Sequence, residues 1–313
     1  MTMLIDADLK LTVVAPYFNE EEVIVAYLTD LKQNLENLEL GYEVILVDDG
    51  STDGTLKKIE DFNWKNLKVV LLNGNRGHQF ALKVGLFNAK GRYVITMDSD
   101  MQHPASLIKE MIYEADSSDI GIVQGVRPSR SKDSFLKRNS ARFYYGLIKL
   151  LTGVNVVSDA ADFRLIKSEV VDGILNHHSN ILRLIIPSLG VKIKYFDFEA
   201  ENRFAGHSKY SFPKMLKLAF SSAIDFSARP LKLLSISGLI ISMLSFLSAV
   251  LLIGNYIFGN SVPGWTSISV LIVFFSGIQL ASLSTIGIYL SKINESRREL
   301  SSKFIVREFK NYD

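Results

Sequence analysis

The chain of 313 residues contains no cysteine, which excludes disulfides and thiolate-held metals. Its five histidines are scattered, which argues against a histidine-held zinc. The net charge is only +2, so composition gives no sign of nucleic acid or another polyanion as partner. No GxGxxG follows the first apolar run, which disfavours dinucleotide binding, and no GxxxxGK[ST] marks a P-loop. GxSxG is missing too. The opening MTMLIDADLKLTVV has acids where a secretory signal carries a basic segment. Internal repeats and low-complexity tracts are absent.

Charge is also missing from two long stretches, and there the absence is informative. Residues 233–258 (LLSISGLIISMLSFLSAVLLIGNYIF) and 265–290 (WTSISVLIVFFSGIQLASLSTIGIYL) hold no ionisable acid or base. Each exceeds the ~20 residues that cross a bilayer, so two transmembrane helices are expected rather than a pair of buried core helices. Arg229 and Lys232 precede the first stretch, and Lys292, Arg297 and Arg298 follow the second. The positive-inside rule then puts both termini in the cytoplasm and the short link GNSVPG (259–264) outside, in a multi-pass protein of the cytoplasmic membrane. Trp265, Tyr256 and Tyr289 fall near the expected interfaces. Residues 209–232 carry apolar side chains at helical spacing, with Lys209, Lys214 and Lys217 at the start. An interfacial helix breaking near Pro230 is expected, against the plainer reading of an amphipathic surface helix.

The first 208 residues alternate strand and helix signals. Apolar runs at Leu11–Ala15, Glu43–Val47, Val69–Leu72 and Tyr93–Met97 are separated by helical patterns. This order predicts a mostly parallel, Rossmann-like α/β sheet covered by helices on both faces. Asn19, Glu20 and their acidic neighbours suit a helix start, and Ser51-Thr52-Asp53 a second cap. Ligands of such sheets bind beyond the carboxyl ends of the strands. Asn19 and Glu20, Asp48 and Asp49, Asn75 and Arg76, and Asp98 and Asp100 all fall on that edge.

Asp98 and Asp100 are the candidate metal ligands, since a hard cation such as Mg2+ or Mn2+ takes one or two carboxylates plus substrate phosphates. A solvated turn is the plainer reading. Asp48 and Asp49 suit hydrogen bonds to a base or ribose, or alternatively a turn and cap. Arg76, Gly77 and His78 open a helix, a geometry that suits a diphosphate or a plain cap.

The ordered series VVAPYFNEEEVI, VDDGSTDGT, NRGHQFALKVGL and MDSDMQHP resembles family 2 glycosyltransferases of the GT-A fold. GVRPSRSKDSFLKRNSARFYY, DAADFRLIKSEVVD and the paired apolar stretches are similar to the polyprenyl-phosphate branch, nearest the bactoprenol glucosyltransferases. Dolichyl-phosphate mannose synthase is related. The resemblance implies an inverting transfer from a nucleoside diphosphate sugar, with UDP-glucose the leading donor, to undecaprenyl or another polyprenyl phosphate. It implies metal and diphosphate at Asp98 and Asp100 with Gln102 close by, and the nucleoside near Pro16, Asn19, Glu20 and Asp49. Asp162 is the candidate base or acceptor-orienting carboxylate, with Asp159 as rival, and Arg164 a phosphate binder or the partner of a buried Asp–Arg pair. Arg203, Gly206, Ser208 and Lys209 match a later motif near the acceptor phosphate.

Arg127, Arg130, Lys137, Arg138 and Arg142 supply positive charge after the fifth strand. They suit a lipid phosphate, anionic headgroups or simply solvent. The resemblance also suggests a tetramer, and small residues in both apolar stretches permit close helix packing. Residues 291–313 are expected as a cytoplasmic tail. Two features depart from the family pattern: His103, where an acid is frequent, and Ile286–Leu290, which lacks a frequent glutamate. A processive polysaccharide synthase is disfavoured, because neither Trp64 nor Trp265 sits in a Gln-x-x-Arg-Trp motif. A sugar-nucleotide-binding membrane protein without catalysis is the non-enzymatic alternative.

Overall fold

The computed structural model describes residues 10–199 except 117–118, 128–134, 158 and 178, single positions and short runs within 220–290, and residues 305–310. For 135–142 and 305–310 the backbone alone is described.

The strands β1 (Leu11–Tyr17), β2 (Tyr42–Asp48), β3 (Leu67–Leu72) and β4 (Tyr93–Thr96) follow the four apolar runs. Helices α1 (Ile24–Glu36), α2 (Thr55–Glu60) and α3 (His78–Asn88) connect them. Next come a 3-10 turn (Ala105–Leu107), α4 (Ile108–Asp116), β5 (Ile122–Val126), α5 (Phe135–Thr152), β6 (Ala160–Lys167), α6 (Ser168–Leu175), α7 (Leu182–Ser188) and β7 (Ile193–Asp197). The strand β8 (Ile305–Lys310) closes the order. The strands form one sheet in the order β7-β5-β6-β4-β1-β2-β3-β8. The block β3-β2-β1-β4 is parallel, β6 is antiparallel to both β4 and β5, and β8 is antiparallel to β3. The α/β class expected from the sequence is the one formed.

Period-two alternation divides the core. On one face Leu11, Val13, Ala15, Val44 and Leu46 meet Ile24, Leu28 and Leu31 of α1 and Ile108 and Met111 of α4. On the other, Val14, Ile45 and Val47 meet Ala81, Leu82 and Leu86 of α3 together with α6 and α7. α3 lies so close that a Cβ at Gly85 would come 2.2 Å from Val14 Cγ1.

The structure amends two cap expectations. α1 starts at Ile24, one turn later than the acids suggest, because Glu20 O accepts from both Val23 N and Ile24 N in a preceding turn. Ahead of α2 the cap position is Gly54, while Asp53 accepts from Thr55 N at 3.1 Å.

Of the segment 209–232, Phe220–Ile224 and a few later positions are helical, and Ala223 and Phe226 are buried. Phe226 stacks on His177, with ring centroids 5.0 Å apart. Gly153, with φ +78°, ends α5 beneath the Arg229 guanidinium, where a cation complements the carbonyl end of a helix. Most of 233–290 lies outside the described residues, and among those described no helix is long and apolar enough to cross a membrane. β8 lies in the expected tail and is an edge strand of the sheet.

Candidate active site

The site forms where β1, β2 and β4 end at their carboxyl edge and β6 begins. At the end of β2, Asp48 Oδ1 accepts from Ser51 N at 2.8 Å. Burial raises the Asp48 carboxyl above the usual range, against the hydrogen bonds from Ser51. Asp49 spends both oxygens on the start of α3: Oδ1 accepts from Arg76 N at 2.6 Å and Oδ2 from Gly77 N at 2.9 Å. It satisfies donors that a helix start leaves without intrahelical partners. Arg76 turns back to Asn73 Oδ1 at 3.1 Å. Asn19, with φ +55°, accepts from Thr52 N at 2.8 Å and joins the β1 and β2 loops. Glu20 N donates to Thr55 Oγ1, and Pro16 O accepts from Ser99 Oγ at 3.0 Å.

The titratable side chains of the candidate site concentrate where β4 meets β6. The antiparallel register pairs Thr96 with Arg164, so two residues further along Asp98 comes opposite Asp162. Thr96 Oγ1 donates to Asp162 O at 2.8 Å and fixes that crossing. The Asp162 carboxylate is held from both sides. Arg164 Nη2 donates to Oδ1 at 2.5 Å, and Gln79 Nε2 donates to Oδ2 at 2.9 Å. Gln79 is oriented in turn by Leu182 N, which donates to its Oε1 at 3.0 Å. Arg164 is only 1% exposed, and its Nε and Nη1 have no hydrogen-bond partner among the described residues. Burial lowers the Arg164 pKa, and Asp162 opposes that shift.

Asp98 is bracketed by two imidazoles. His78 Nε2 lies 2.8 Å from Asp98 Oδ1, and His78 Nδ1 lies 3.8 Å from Asp162 Oδ2. Asp98 N donates to His103 Nδ1 at 2.9 Å, so the proton of a neutral His103 ring sits on Nε2. That nitrogen is 3.7 Å from Asp98 Oδ2 and 3.3 Å from Arg127 Nη2. Burial opposes ionisation of Asp98, but the His78 hydrogen bond and the positive fields of His103, His78 and Arg127 outweigh it and hold the carboxyl at about 2. Burial holds His103 below the ordinary imidazole range; its ring stacks on Phe163 at 5.2 Å. His78 goes the other way: burial pulls its pKa down, and the Asp98 bond more than reverses this.

Of the other expected site residues, some are held by local contacts and some lie outside the described residues. Asp100 Oδ1 accepts from Gln102 N at 3.1 Å, and Gln102 is buried. Asp159 takes a left-handed backbone, with φ +65°, and its carbonyl accepts from Arg127 N. Arg130, Arg203, Gly206, Ser208 and Lys209 lie outside the described residues, as do the side chains of Lys137, Arg138 and Arg142 on α5. Sequence reading missed Gln79 and the contact of His78 with both carboxylates. The available signal was a histidine at the first position of a helix on the same sheet edge as Asp98.

A mostly parallel sheet of this order, with its polar groups gathered at the carboxyl edge, is a GT-A-like α/β fold. The chain belongs to glycosyl transferase family 2, whose model it matches over residues 12–175. It is similar to a glycosyltransferase of Synechocystis, 35% identical with 92% of each chain covered. It is also similar to the bactoprenol glucosyl transferase of Shigella phage SfV, 32% identical over 96% of this chain and 99% of the other. Glucosyl-3-phosphoglycerate synthase from Mycobacterium tuberculosis, solved with Mn2+, UDP and phosphoglyceric acid, shares the fold at a TM-score of 0.53 and 16% identity. That likeness covers 70% of this chain and 78% of the synthase. The chain is a glycosyltransferase.

Proposed function

We propose that the chain moves a sugar, glucose from UDP-glucose, onto undecaprenyl or another polyprenyl phosphate at the cytoplasmic face of a membrane, with inversion at the anomeric carbon. The carrying observation is the end-to-end similarity to a bactoprenol glucosyl transferase, which extends through the C-terminal third as well as the catalytic domain. Two further features support a membrane-held enzyme. Ile268, Ile272, Leu283 and Leu290 are exposed apolar residues on helical positions, a pattern that lipid would cover. β7 and β8 both belong to the catalytic sheet, so the segment between them begins and ends on one body. Crossings in that segment must then be even in number, which fits two spans.

The acceptor is its own nucleophile. A phosphate monoester has a second pKa near ~6 and is mostly dianionic at neutral pH. A phosphate oxygen attacks the anomeric carbon as the bond to the diphosphate breaks, and the electron pair leaves with the nucleoside diphosphate. No proton has to be removed, and the Asp162 carboxylate, held by Arg164 and Gln79, acts here to orient rather than as a base. Asp98 and Asp100 would hold a Mg2+ or Mn2+ ion, with Gln102 in the turn beside them. Such an ion offsets charge on the leaving diphosphate. Arg127, whose guanidinium lies 3.3 Å from His103 Nε2 beside Asp98, would add positive charge for the acceptor phosphate.

Membranes containing the chain, supplied with undecaprenyl phosphate, a divalent cation and labelled UDP-glucose, GDP-mannose or UDP-N-acetylglucosamine in turn, test the reading. Label should enter the lipid phase from UDP-glucose. No lipid-linked label from any donor would favour a binding protein without transfer.

A further inference from the structure

Gln79 and Lys83 lie one turn apart on α3, and both reach the turn between α6 and α7. Lys83 is buried, and its ammonium donates to His177 O at 2.5 Å and to Ser179 O at 3.0 Å. These charge-assisted bonds offset the cost of burying the ammonium and grip the turn at both carbonyls. Within the turn Ser179 N donates to His177 Nδ1 at 3.1 Å, and Ile181 N donates to Ser179 Oγ at 3.2 Å. Gln79 holds the end of the turn. Its Oε1 accepts from Leu182 N at 3.0 Å, while its Nε2 donates to Asp162 Oδ2 at 2.9 Å and lies 3.3 Å from His78 Nδ1. The His177 imidazole meets the segment that leads to the first uncharged stretch. There the Phe226 ring stacks on it, with centroids 5.0 Å and planes 14° apart. The same segment has further supports: the Tyr289 hydroxyl donates to Ser227 O at 3.0 Å, and the Arg229 guanidinium lies against Gly153.

We propose that Gln79 is a positioning residue, which aligns the Asp162 carboxylate only while the segment ahead of the first uncharged stretch is seated on His177. This rests on the proposed transfer to a lipid phosphate, in which Asp162 orients the acceptor. Contacts run without a gap from Phe226 through His177 and the turn to Gln79 and Asp162. Contiguity alone carries no energy: the seat and Gln79 must act on one step, and their removal must then be non-additive. Asp49 holds the start of α3 through Arg76 N and Gly77 N, so the donor end keeps its own support when the turn loosens. An enzyme built this way transfers at full rate only when its catalytic edge is docked on the segment that meets the lipid.

The test is a double-mutant cycle on kcat for lipid transfer, with the full chain in lipid nanodiscs, undecaprenyl phosphate and UDP-glucose. Phe226→Ala should lower kcat by at least about tenfold, within the ~100-fold that a misplaced group can cost. Its KM for UDP-glucose should stay within about twofold of wild type, the sign of an interaction lost in the transition state rather than in donor binding. Gln79→Ala should lower kcat to a similar degree and remain measurable. The double variant should be slower than Gln79→Ala by no more than about twofold, because the seat then has nothing to align. Phe226→Leu, which keeps apolar volume without the ring, replaces Phe226→Ala in the cycle if that variant does not fold. An unchanged kcat in the Phe226 variant, losses that multiply, or no detectable transfer by Gln79→Ala would each overturn the positioning role while wild-type transfer stands. A wild type without lipid transfer would overturn both.

Discussion

At the scale of single residues, one buried charge serves another. Arg164 is a guanidinium taken out of water whose one ionic partner among the described residues is Asp162. Removing that partner strands the charge, and breaking a buried pair costs roughly 3–5 kcal/mol. Asp162→Asn is therefore expected to lower stability by about that amount in a denaturant titration and to lose transfer. The double change Asp162→Asn with Arg164→Met should recover much of the stability, because apolar replacement of a buried pair is often neutral. It should not recover transfer. A double variant that transferred sugar at the wild-type rate would remove Asp162 from the chemistry. Asp98 belongs to the same scale: Asp98→Asn should cut transfer by about 100-fold or more, the usual cost of losing one electrostatic stabiliser. The sequence made Asp98 legible as a carboxylate after a buried strand. It could not show Asp162 opposite it, since that depends on an antiparallel crossing between segments far apart in the chain.

At the scale of elements, the parallel half of the sheet was readable because each strand is an apolar run closed by polar residues on one edge. The rest was not. IVREFK (305–310) alternates weakly and follows the uncharged stretches, so its sequence reads as tail. Its strand state comes from β3, whose open edge it covers with the register Val69 to Phe309 and Val70 to Glu308. An uncovered edge strand is a template for aggregation. Deleting residues 305–313 should lower the melting temperature and raise light scattering on heating; an unchanged melt and a clear solution would show that β3 needs no cover. The α3 contact makes a second prediction. Ala at Gly85 gains ~1 kcal/mol of helix propensity but meets Val14, and overpacking costs ~1–3 kcal/mol. Gly85→Ala should melt below wild type, and a higher melting temperature would mean that α3 can move away from the sheet.

At the scale of the whole molecule, the sheet receives strands from both sides of the 198–304 segment, with β7 at one edge and β8 at the other. The uncharged stretches lie between them, and the two spans proposed for them would keep the catalytic edge and the tail on one side. The absence of native cysteine makes this simple to check. A cysteine placed at Ser261 should react with an impermeant thiol reagent from outside intact cells, and one at Ser302 only after the cells are opened. Reaction of both from outside, or of neither, would contradict two spans with an external link.

Transfer onto a lipid phosphate is tested by the bond made. Purified chain, undecaprenyl phosphate, UDP-glucose and Mn2+ should yield a lipid one hexose heavier, its sugar joined through a phosphodiester and its anomeric configuration opposite to that of the donor. Asp98→Asn should yield almost none. Free glucose with no hexosyl lipid, or a product of retained configuration, would rule out inverting transfer to the lipid phosphate.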